Sequence, residues 1–143
     1  YPGQVGEIYR ASDSIEVPPP LQAENGTQSK SRTEILTDAT RVLIEKHPNA
    51  VITSFPEGGT SGKRNGRGPY GLEPYRTGSF VIASKLGIPI LPVAQYFNPK
   101  SGFELAVFEP VRLSPDATPE QYTQAAQAMQ VKTQDWLNSR KAV

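Results

Sequence analysis

The chain has 143 residues, 15 of them Lys or Arg and 14 Asp or Glu, so its formal charge is +1 and no global field draws it to nucleic acid or an anionic membrane. Hydrophobic residues make up 36% and charged ones 20%, which suits one modest domain over 1–143 and excludes a coiled coil or an acidic solvating tail. Cysteine is absent, which excludes a disulfide framework, a cysteine nucleophile and any thiolate metal site.

In chain order, residues 4–10 read as a short strand carrying Val5 and Ile8. The stretch 12–31 follows, polar and holding Pro18, Pro19 and Pro20; it has no face to bury and reads as a long mobile loop. Ser31 with Glu34 three residues on has the form of a capping box. Ile35, Leu36, Ala39, Val42 and Leu43 then keep helical spacing until Pro48 stops the helix. Ala50-Val-Ile-Thr-Ser-Phe55 is the β-prone run expected of a buried strand.

From Pro56 to Pro74 the sequence is glycine-rich and basic, without periodicity. Gly78 to Leu86 reads as a short helix with Gly87 as its left-handed cap. Ile88 to Phe97 reads as a strand that starts late or lies at an edge because of Pro89 and Pro92, and Phe103 to Phe108 as another. The longest near-continuous apolar stretch, Ile88 to Ala94, is broken by Pro89 and Pro92 and too short to span a bilayer, so no transmembrane helix is expected. Thr118 followed by Pro119 opens a last helix over 118–141, whose stripe of Tyr122, Ala125, Ala126, Met129, Trp136 and Leu137 misses one turn at Thr133. Strands alternating with helices predict an α/β domain with a mixed, partly parallel sheet flanked by helices.

The chemistry concentrates at Phe55-Pro56-Glu57-Gly58-Gly59-Thr60-Ser61, directly after the β-prone run, where an open α/β sheet usually carries its ligand. Proline ends the ladder, Glu57 projects from that support, and the two glycines let backbone N–H groups approach an anion closely. A solvated turn is the alternative reading of the same residues. Arg76 precedes the short helix; a guanidinium binds phosphate oxygens through a planar fork, and a helix start favours the same anion.

Three blocks in order, Phe55-Pro-Glu-Gly58, then Tyr75-Arg-Thr-Gly-Ser-Phe80, then Gly87-Ile-Pro-Ile-Leu-Pro-Val93, closely resemble the glycerophospholipid acyltransferase family, typified by 1-acyl-glycerol-3-phosphate acyltransferases. The resemblance runs from about Gly6 to Leu113. It implies transfer of a fatty acyl group from coenzyme A or acyl carrier protein to a lysophospholipid hydroxyl at a membrane surface. The acyl thioester is a co-substrate, and neither a cofactor nor a metal nor a nucleic acid is implied. Carried over residue by residue, Glu57 and Gly58 line the acceptor site, Arg10 and Arg76 contact its phosphate, and Pro89 shapes the wall near the acyl chain; Gly59 and Thr60 join the candidate binding residues on their own chemistry, a close-approaching backbone N–H and a hydroxyl donor. A surface cation remains the alternative for Arg76, and a strand-end charge for Arg10.

Three departures bear on that resemblance. Gly59 and Thr60 stand where the family has threonine and arginine, so one phosphate-binding charge is missing. The loop up to Arg76 is longer than the family's and carries Lys63, Arg64 and Arg67, which could replace that charge or face anionic head groups. The family's catalytic block is a histidine with an aspartate five positions later, the first acting as base and the second orienting it. His47 is the single histidine and Ile52 stands five residues on, so no catalytic residue is assigned. The expectation is a partial acyltransferase domain whose amino-terminal portion, base included, lies upstream of Tyr1. The competing expectation is a non-catalytic module that binds phosphate or anionic lipid on the same scaffold.

Overall fold

The computed structural model describes residues 30–58, 66, 68 and 70–141. It is a mixed α/β structure that divides into two compact units, Tyr1–Val51 and Ile52–Val143. The strand expected over 4–10 and most of the loop expected over 12–31 lie outside the described residues, as do Arg10, Gly59 and Thr60.

In the first unit, helix α1 spans Arg32–Lys46 and begins as the sequence predicts. Glu34 N–H donates to Ser31 Oγ at 3.3 Å, and Ser31 N–H donates to the Glu34 carboxylate at 2.7 Å, so two otherwise orphaned amides are satisfied reciprocally. His47 follows as an exposed C-cap residue, its N–H donating to Leu43 O. Thr37 and Thr40 are the buried residues of this helix.

The second unit holds helix α2, Gly78–Leu86, strands β1, Val93–Asn98, and β2, Gly102–Val107, and helix α3, Pro119–Lys141. Gly87 caps α2 at φ 66, a backbone region that glycine enters without a Cβ penalty. The α3 stripe packs on α2: Phe80, Tyr122, Ala126 and Met129 form the buried cluster, with Ile90, Val111 and Leu113 against it. Thr133, the polar interruption in that stripe, is buried too. Its hydroxyl donates to Met129 O at 2.8 Å, which is how a polar residue joins an apolar face without an orphaned group. Ser84 is equally enclosed, donating to Ser114 O and lying 3.3 Å from the Tyr122 hydroxyl.

Among the described residues the sheet has two strands, β1 and β2, paired antiparallel from Val93↔Val107 to Asn98↔Gly102. An isolated antiparallel bridge, Ile90↔Val111, extends the ribbon beyond Pro92. The late start of β1 follows from Pro89 and Pro92, which have no N–H to give a ladder. Residues 50–55 form no strand: Val51 and Phe55 are 91% and 79% exposed, and the Phe55 carbonyl accepts a turn bond from Gly58 N–H. A β-prone run becomes a strand only where a partner edge meets it, and here none of the described residues supplies that edge. Along the ribbon, Ala94 turns toward α3 and is buried, whereas Val93, Phe97, Phe103, Leu105 and Val107 share the opposite, exposed face.

Candidate functional site

The segment 70–76 opens on a turn at Tyr70–Gly71, belongs to no helix or strand, and is bonded both to α3 and to the turn 56–58. On one side Gln134 of α3 holds it: Leu72 N–H donates to Gln134 Oε1 at 2.8 Å, and Gln134 Nε2 donates to Tyr70 O at 3.0 Å. On the other side the next amide, Glu73 N–H, donates to Glu57 Oε2 at 2.7 Å. Two successive amides, Leu72 and Glu73, thus tie one segment to α3 and to the turn. A third bond, Arg76 N–H to Pro56 O at 2.8 Å, fixes the end of the segment to the turn.

These bonds bring the Glu-Gly turn and the helix-start arginine together. Gly58 has φ 66, and a Cβ built on it would lie 2.9 Å from Arg76 Nε and 3.0 Å from Arg76 Cζ. The guanidinium therefore rests directly on the Gly58 backbone, in space that any other residue would fill. Arg76 itself is exposed and precedes Thr77, the N-cap residue of α2, whose side chain makes no capping bond.

Glu73 is buried, and among the described residues no buried side-chain nitrogen or oxygen lacks a hydrogen-bond partner. Burial pushes the Tyr75 phenol above its ordinary pKa; a hydrogen bond with Thr133 pulls it back in part, and the nearby Glu57 carboxylate pushes it up. The Tyr70 ring packs against Tyr96, tilted by 45° with centroids 4.7 Å apart, and its hydroxyl meets both the amide and the carbonyl of Phe97 on β1.

Of the residues singled out from sequence, Glu57, Gly58 and Arg76 thus converge. Pro89 stands exposed between α2 and the Ile90↔Val111 bridge and takes no part in the bonds that join turn and segment. The sequence reading missed Glu73 and Gln134 as supports. Gln134 falls one position beyond the gap in the α3 stripe, and a polar pair there, Thr133-Gln134, was the available signal. No group of His, Asp and Glu among the described residues is arranged to hold a metal ion, and no described helix is long and apolar enough to cross a membrane. Compared with protein-family models, curated proteins and solved structures, the chain matches none.

Proposed function

We propose that this chain is the acceptor-binding portion of a glycerophospholipid acyltransferase-like domain, with Arg76 holding the phosphate of a lysophospholipid. The observation that carries this reading is the exposed Arg76 guanidinium seated on the positive-φ backbone of Gly58, beside Glu57 and ahead of a helix start. A planar guanidinium offers two parallel bonds to phosphate oxygens, and Arg76 is exposed to a ligand. In this proposal the complete sheet is mixed and partly parallel, and the protein works at a membrane surface with an acyl thioester of coenzyme A or acyl carrier protein as donor.

The reaction proposed for the whole protein is a group transfer. The acceptor hydroxyl oxygen attacks the thioester carbonyl carbon while a base takes the hydroxyl proton. An ester bond forms, the carbon–sulfur bond breaks, and the carrier thiol leaves with a proton. The chain's own part is to bind and orient the acceptor. His47 is exposed at a helix end with Ile52 five residues on, so the base is assigned to no residue of this sequence. The same observation favours the second reading, a non-catalytic phosphate or anionic-lipid module.

Calorimetric titration with glycerol 3-phosphate tests the site. Removing Arg76 (R76A) is expected to weaken binding by about tenfold or more, the worth of a charge-assisted hydrogen bond. Unchanged affinity would refute the phosphate role. The purified 143-residue chain is expected to transfer no acyl group above background, and turnover would show that it holds a base of its own.

A further inference from the structure

We infer that Glu57 is a positioning residue for Arg76 and makes no direct contact with the acceptor; this rests on the phosphate-site reading above. The Glu57 carboxylate spends one oxygen on Glu73 N–H at 2.7 Å, a charge-assisted bond across sixteen residues of chain. The parallel bond from Arg76 N–H to Pro56 O acts one residue away on the turn and three residues along the segment. Together they clamp 56–58 to 73–76, and Gly58 N–H closes the turn on Phe55 O at 3.0 Å. Gly58 is the seat of the guanidinium, so whatever fixes the turn relative to the segment fixes where Arg76 presents its donors. A carboxylate is a poor ligand for a phosphate because both are anions, and it has no proton to donate. The clamp accounts for a glutamate at this position without asking it to touch that anion.

The two roles separate in the full chain with two ligands and two variants. A clamp acts through Arg76, so E57A should weaken inorganic phosphate and glycerol 3-phosphate by the same factor, about tenfold, and should add nothing in an R76A background. E57Q keeps an acceptor oxygen and should restore binding to within about threefold of the parent. A direct contact with the glycerol hydroxyls would weaken glycerol 3-phosphate alone. Nuclear magnetic resonance reads the clamp without any ligand: E57A should speed exchange of the Glu73 amide by about tenfold and move the Arg76 Nε–H resonance, whereas E57Q should do neither. Unaltered Phe80 and Met129 amides certify that the core is intact. The clamp is overturned if E57A leaves the Glu73 amide and Arg76 Nε–H as they were, or if only glycerol 3-phosphate binding falls. Should the parent chain bind neither ligand, the phosphate-site reading fails, and the clamp stands or falls on the two resonances.

Discussion

Replacing Gly58 by alanine separates backbone strain from side-chain displacement at the candidate site. At φ 66 an alanine sits in the left-handed region, at a cost of about 1–2 kcal/mol. Its methyl group would also stand 2.9 Å from Arg76 Nε, closer than such atoms approach, with Arg76 Cδ in tight contact at 3.2 Å. Those atoms belong to the far end of a flexible side chain, so the guanidinium moves off the turn and the steric part adds little to the instability. The thermal midpoint should therefore fall by roughly 4–8 °C, taking about 4 °C per kcal/mol for a chain of this size. Phosphate binding should fall by about tenfold, because the displaced guanidinium no longer presents its fork. Gly58→Asn is the informative companion. Asparagine enters the left-handed region more readily, so much of the stability returns, yet its Cβ still displaces Arg76 and binding stays weak. Calorimetry for the ligand and circular dichroism for the melt read the two effects apart. If Gly58→Ala binds phosphate like the parent while its midpoint falls, the guanidinium has no functional seat on Gly58 and the proposed site is refuted.

Phe80→Ala removes the ring at the centre of the α2–α3 cluster, 1% exposed, and should cost about 3–5 kcal/mol in urea denaturation. Gln134→Ala deprives the buried Leu72 amide of its side-chain acceptor and should cost about 1–3 kcal/mol; an unchanged denaturation midpoint would deny that α3 holds the segment. Because Tyr75 has a folded pKa above its unfolded one, the folded state holds the phenolic proton more tightly. That contribution is complete below about pH 10 and is lost as pH rises through the higher folded value, so Tyr75→Phe should flatten the fall of stability above about pH 10. Ser31→Ala opens the capping box and should weaken α1 by about 1 kcal/mol, seen as faster amide exchange in its first turn.

The helices were legible because their end signals are local. Ser31 with Glu34, Gly87, and Pro119 after Thr118 satisfy or excuse terminal amides and carbonyls within a few residues, so no distant partner enters. The strands were less so. Val93–Asn98 and Gly102–Val107 carry enough alternation to be found, but 50–55, with its Val, Ile, Thr and Phe, is as β-prone and forms no strand. Strand formation needs an edge to pair with, which composition does not encode. At the site, the residue types at Glu57, Gly58 and Arg76 pointed to one anion-binding place, and the supports at Glu73 and Gln134 went unread because their bonds span 16 and 62 residues.

By itself the sequence determined where the helices begin and end, that metal–thiolate and cysteine chemistry are excluded, and that one Glu-Gly turn and one arginine are the residues to watch. Only the tertiary structure decided that Arg76 lies on Gly58, that Glu57 spends an oxygen on the Glu73 amide, and that the sheet of the described residues is an antiparallel ribbon. The physical reason is range: caps and glycine conformations act within a turn of chain, whereas packing and long hydrogen bonds exist only once distant segments meet.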